Sequence, residues 1–160
     1  MRNEADVFTA IETYADTVRR VCFMRLKNYA DVEDIFQDVF MKYALYDKEF
    51  ANEDHKKAWF IRVSINACND LLKSFFRKKV TSIDHLTIEP SIFENTDKEL
   101  WNEVFKLHQN YRDVIYLFYY EGYSAIEIAK ILNKKENTIY TWLSRAKKQL
   151  KTTLGGDFNG

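Results

Sequence analysis

Between Ser124 and Lys151 the sequence concentrates side chains able to bond nucleic acid. Ile139, Leu143, Ala146 and Leu150 recur at i, i+4, i+7 and i+11, which predicts a helix over residues 137–154 with an apolar inner face. Its outer face then holds Thr138, Tyr140, Thr141, Ser144, Arg145 and Lys148. Arginine forks onto a guanine edge or a phosphate, and hydroxyls bond either, so these residue types suit a helix lying in a major groove. Just upstream, Ser124-Ala-Ile-Glu127 is a capping-box pattern in front of Ile128, Ala129 and Leu132. Asn133 stands where a tight turn needs a residue tolerant of positive φ. Ala129 is small enough for a close helix crossing, with Ile139 and Trp142 packing behind it. The spacing predicts a helix-turn-helix. The plainer alternative is an αα-hairpin whose basic last turn merely complements the helix dipole.

A second set is acidic. Asp34, Gln37 and Asp38 are spaced i, i+3 and i+4, hence on one helix face, while Ile35, Phe36, Val39 and Phe40 point into a core. Such a face could dock a partner, or it could be solvated and simply offset the helix dipole. Chemistry of other kinds has no support. His55, His85 and His108 lie far apart and form no metal-ligand spacing with Cys22 or Cys68. Neither a Gly-rich phosphate loop nor a nucleophile set is present, so we expect no enzyme, no metal and no cofactor. Cys68, among helical residues, is expected as a small buried apolar side chain.

The elements that must position these groups are helices. Val7, Ile11, Tyr14, Ala15, Val18, Val21, Cys22 and Leu26 make an amphipathic stripe over residues 6–27. Residues 31–46 repeat the pattern, with Asp31, Glu33 and Asp34 favouring a helix start. A third helix is predicted over 55–78, with Trp59, Val63, Ala67, Leu71 and Leu72 inward. Leu100, Trp101, Val104, Phe105 and Leu107 form a further stripe, and Val114, Ile115, Leu117 and Phe118 another that ends near Gly122. Periodicity is lost between residues 80 and 97, which contain the only Pro. The expected fold is therefore all-α: two small helical domains, 1–79 and 98–155, joined by a flexible linker over 80–97, with a frayed tail over 156–160.

Composition agrees. Of 160 residues, 46% are apolar and 30% charged, and four Gly and one Pro are too few for a turn-rich β-protein. No apolar run nears the roughly 20 residues of a membrane span, and no secretion signal is visible, so a reduced, cytoplasmic protein is expected. Net charge is zero but unevenly placed: −3 over residues 1–70, +4 over 71–80, −5 over 81–103 and +4 over 131–160. Two short basic patches on a neutral chain imply local phosphate contacts and weak non-specific affinity.

Three segments together resemble one family. EIAKILNKKENTIYTWLSRAKKQL is similar to region 4 of bacterial RNA polymerase sigma factors, DVEDIFQDVFMKYALY to the part of their region 2 that docks on the core enzyme, and HKKAWFIRVSINACNDLLKSFFRKK to the adjoining −10-reading part. Their order, spacing and short acidic linker resemble the extracytoplasmic-function (ECF) group, which keeps only regions 2 and 4. The resemblance runs from about Phe8 to Leu154.

The resemblance implies a transcription initiation factor whose partners are core RNA polymerase and promoter DNA, duplex at −35 and unwound at −10. By matching position, Asp34, Gln37 and Asp38 would grip the polymerase clamp helices. Asn66 would sit near a pocket for an unpaired −10 base, where an amide can bond an unstacked base edge. Asn69, Lys73, Arg77 and Lys78 lie near it by helical spacing or sequence and could hold the strand's backbone. Asn66 could equally be an ordinary exposed helix residue, and Trp59 could stack on a base or belong to the core. Thr138, Tyr140, Thr141, Ser144 and Arg145 fall at the −35-reading positions. Tyr140 and Trp142 depart from the basic or polar residues common there, and Asn133 replaces the frequent Gly. An anti-sigma factor is a common partner in that family, and no residue here identifies one. Two other readings stay open on sequence: a stand-alone regulator dimerising through residues 1–79, and a protein-interaction adaptor.

Overall fold

The computed structural model describes residues 1–26, 28–78 and 98–155, so the expected linker over 80–97 and the tail over 156–160 lie outside the described residues. All described elements are helical, as expected. They are α1 (Glu4–Leu26), α2 (Tyr29–Leu45), α3 (Glu53–Lys78), α4 (Lys98–Phe105), α5 (Gln109–Ile115), a π-helical turn (Tyr116–Tyr120), α6 (Ala125–Leu132) and α7 (Glu136–Leu154). The chain divides into two compact units, Met1–Ile92 and Phe93–Gly160.

In the first unit α1, α2 and α3 each pack against the other two. Each begins two residues earlier than periodicity predicts, and the cause is the same each time. An asparagine precedes the helix, and its side-chain oxygen accepts a backbone N–H in the first turn: Asn3 from Asp6 at 2.8 Å, Asn28 from Asp31 at 3.1 Å and Asn52 from His55 at 2.8 Å. Such caps satisfy donors the helix cannot, at about 1 kcal/mol each. The core is the predicted stripes plus aromatic rings. Phe60 is fully buried with its centroid 4.8 Å from Tyr14, 5.2 Å from Phe40 and 5.0 Å from Tyr43. Arg2 pins the α2–α3 connection to α1. Its guanidinium donates to the carbonyls of Tyr43 and Lys48 and to Asp6, and lies 4.4 Å from the centre of the Tyr43 ring.

The second unit is built around α7, whose Ile139, Leu143, Ala146 and Leu150 are all buried, as the spacing predicted. The helix expected to end near Gly122 is interrupted: α5 stops at Ile115 and a π-helical turn carries the chain to Tyr120, with the Glu121 N–H bonding Tyr116 O at 3.2 Å. The widened turn sets Tyr116 and Leu117 inward together and leaves Phe118 and Tyr119 near the edge. There the Lys147 ammonium sits 4.9 Å from the Phe118 ring centre and 5.7 Å from that of Tyr119. This lysine of the basic patch is therefore held against its own unit.

Candidate nucleic-acid interface

Helix α6 starts on the predicted capping box: Ser124 Oγ accepts from Glu127 N–H at 3.2 Å, and Glu127 Oε1 accepts from Ser124 N–H at 3.0 Å. These bonds stabilise the ionised carboxylate and hold Glu127 below the ordinary range. The helix ends at Asn133 with φ 54° and ψ 51°, the left-handed geometry that its residue type foretold. The N–H of Lys134 then closes the turn on Ala129 O at 2.9 Å. Buried Ala129 and Ile139 pack on the inside of the hairpin, and Trp142 is half-buried.

Turned away from that core, α7 presents Tyr140, Thr141, Ser144, Arg145 and Lys148 exposed and Thr138 half-buried. At 100° per residue they span about 160° of the helix, centred nearly opposite its buried stripe. The face is hydroxyl-rich, carries three cations once Lys151 in the last turn is included, has no carboxylate, and leaves the Tyr140 ring 52% exposed. Lys134 and Lys135 are exposed in the turn just before it. A surface of this shape can enter a groove and bond base edges while its cations meet phosphates.

In the first unit, Asp34, Gln37 and Asp38 are all exposed on α2, opposite buried Val32, Ile35, Val39 and Tyr43. Asp38 pairs with Lys42 at 2.9 Å, but both are about half-exposed, so an incoming cation could displace Lys42 with little loss. Glu33 stands apart from this face, bound by Arg19 at 2.8 Å. On α3, Asn66 and Lys73 are exposed and Asn69 half-buried on one outward arc. Arg77 and Lys78 lie in the last turn of α3, and their side chains are outside the described residues.

Comparison with known proteins draws these surfaces together. Residues 10–78 match the family model for sigma-70 region 2, and residues 98–150 that for sigma-70 region 4. Along nearly its whole length the chain is similar to RNA polymerase sigma factor SigV of Bacillus subtilis, 28% identical over 94% of this chain and 92% of the relative. It is also similar to the ECF RNA polymerase sigma factor SigW of the same organism, 26% identical over 96% and 91%. The chain belongs to the ECF sigma factors. It is a transcription initiation factor that directs RNA polymerase to promoters. Its fold is shared with the sigma factor RpoE crystallised with the anti-sigma factor NepR from Bartonella quintana, at a TM-score of 0.79, 22% identity and coverage of 96% and 99% of the two chains. CnrH in complex with the cytosolic domain of CnrY is similar at a TM-score of 0.64, with 20% identity and coverage of 98% and 92%.

Two aromatic side chains of this sigma factor separate sharply. Trp59 shares the helical direction of Asn66, two turns earlier, yet is only 8% exposed. The α2–α3 connection covers it: Tyr46 lies 5.0 Å and Phe50 5.8 Å from its ring, with Tyr43 at 5.9 Å. Of its two expected roles, the structure gives it the core one. Phe76, which sequence reasoning did not single out, is 86% exposed on α3. Its signal was available, since seven residues after Asn69 returns to within about 20° of the same direction.

The remaining candidates have structural employment. His55 Nδ1 accepts from Ala51 N–H at 2.9 Å, and His108 Nδ1 accepts from Asn110 N–H at 3.2 Å to cap α5. Cys68 is buried as expected and meets Cys22, also buried, across α1 and α3; that neighbour and the burial raise the Cys22 thiol well above its usual range. Among the described residues no group of His, Cys, Asp or Glu could hold a metal ion, and no helix is long and apolar enough to cross a membrane.

Proposed function

We propose a division of this initiation factor into two working domains, residues 1–79 and 98–155, joined by a linker over 80–97. Asp34, Gln37 and Asp38 dock core RNA polymerase; Asn66, Asn69, Lys73, Arg77 and Lys78 hold the unwound −10 strand; Thr138, Tyr140, Thr141, Ser144, Arg145 and Lys148 read duplex −35 DNA. The observation that carries this reading is the outward face of α7, where all six −35 candidates lie opposite the buried stripe and no carboxylate interrupts them. The chain itself does no covalent chemistry, since nucleotide transfer belongs to the polymerase, and it works where the polymerase is, in the cytoplasm. Its fold neighbours were solved in complex with an anti-sigma factor and with the cytosolic domain of CnrY, which supports an inhibitory partner for this chain as well.

The test is transcription in vitro by purified core polymerase on a pool of promoter fragments, with and without the protein. Discrete transcripts that need the protein, and that weaken for Asp38→Arg and for Arg145→Ala, support the assignment. Absence of transcripts together with absence of co-purification with core polymerase would overturn it in favour of a stand-alone regulator.

A further inference from the structure

We propose that Phe76 is a stacking platform for an unpaired base of the opened −10 strand. The inference rests on the reading of α3 as the strand-facing helix and adds to it a residue and a mode of contact. A single exposed apolar side chain on a protein surface is ordinary and by itself means little. The position of this one is informative. Along α3 between Arg62 and Phe76 the outward arc runs from Asp70 through Asn66, Lys73, Arg62 and Asn69 to Phe76, within about 120° at 100° per residue. Asp70, Asn66 and Lys73 are exposed, Arg62 and Asn69 half-buried, and Phe76 is 86% exposed.

That arc combines the parts that single-stranded nucleic acid requires: cations for the backbone, amides for base edges and an aromatic face for stacking. Its polarity also orients the strand. The Asp70 carboxylate borders one side and repels phosphate, so the backbone tracks Lys73 and Arg62 and the bases lean toward Phe76. Asn66 and Phe76 stand about 15 Å apart along the axis, so they engage different nucleotides. The stacking candidate that the sequence offered on this helix is unavailable, because Tyr46 and Phe50 close over Trp59. A ring stacked on a base recognises every base face, so Phe76 contributes affinity for opened DNA and little sequence preference.

The experiment uses polymerase reconstituted with the full chain and two DNA pools: one fully duplex and randomised, the other with randomised duplex upstream and a randomised single-stranded segment downstream. Phe76→Ala should lower retention of the tailed pool about tenfold and leave the duplex pool unchanged, as removing one base–aromatic stack does. Phe76→Tyr should restore it. If Lys73→Glu weakens tailed-pool retention while Phe76→Ala does not, the stacking role is wrong and the strand-facing reading of α3 stands. If neither variant has an effect, that reading fails and the stacking role fails with it. If Phe76→Ala instead lowers the melting temperature of the free protein with retention intact, the ring is covered by the chain itself and the proposal is overturned.

Discussion

Asp6 ties three parts of the first unit to one carboxylate. The Tyr43 hydroxyl donates to its Oδ1 at 2.8 Å, Arg2 Nη1 to Oδ2 at 3.1 Å, and Lys56 Nζ lies 3.9 Å away. The Tyr43 bond, with Arg2 and Lys56 and against some desolvation, holds Asp6 below its ordinary value of 3.8. A depressed folded-state pKa means that the unfolded chain takes up the proton first on acidification. The contribution is therefore complete above the ordinary value and lost as pH falls through the folded one. Asp6→Asn should lower stability by about 1 kcal/mol at pH 7. In urea unfolding the gap between the two proteins should shrink below the ordinary carboxylate pKa; a gap of equal size at pH 7 and pH 3 would contradict the role. Asn133 gives a second residue-scale expectation. Its left-handed backbone is open to Gly and strained for a β-branched residue, so Asn133→Gly should match wild type. Asn133→Val should be about 1–2 kcal/mol less stable, read by thermal unfolding.

At the scale of elements, α2 and α7 follow one rule: a buried stripe anchors the helix and the opposite face is exposed, where the proposed partner contacts lie. Asp38 and Arg145 are exposed on those faces, so changing either should move stability by no more than about 0.5 kcal/mol. Their functional effects should separate. Arg145→Ala should weaken promoter binding by the polymerase complex about tenfold, with polymerase binding intact, as loss of one arginine–base or arginine–phosphate contact does. Asp38→Arg should reduce capture by core polymerase and leave the fold unchanged. A pull-down and a filter-binding assay on the two variants distinguish the faces; loss of polymerase capture by Arg145→Ala, or unchanged capture of Asp38→Arg, would contradict this assignment.

At the scale of the molecule, zero net charge limits what the free protein can do alone. Three cations on the outward face of α7 release few counterions, so duplex affinity should be low and its salt dependence shallow. On the proposed division of surfaces, specificity arises because polymerase holds both on one promoter and each raises the effective concentration of the other. Free protein should therefore show little promoter affinity at physiological salt, measured by fluorescence anisotropy on a promoter recovered from the transcription pool. Nanomolar specific binding without polymerase would refute this account.

Much of this protein was settled by sequence alone. Apolar spacing determined that every described element is a helix and which side of α7 faces outward, because a 3.6-residue repeat is a local property. Ser124, Glu127 and Asn133 determined the turn between α6 and α7, since caps and left-handed backbone depend on the residues at those positions. Asn3, Asn28 and Asn52 marked three helix starts just as locally, and periodicity missed them only because caps lie outside the repeat. Tertiary structure alone decided which aromatic on α3 is available. Spacing sends Trp59 and Phe76 to the outward half of α3, about 100° apart, but it cannot say that the α2–α3 connection folds back over one and leaves the other open. The pairing of Cys22 with Cys68, and the hold of Arg2 on the chain some forty residues away, were hidden for the same reason. Periodicity sets a side chain's direction; burial depends on what distant chain arrives to cover it.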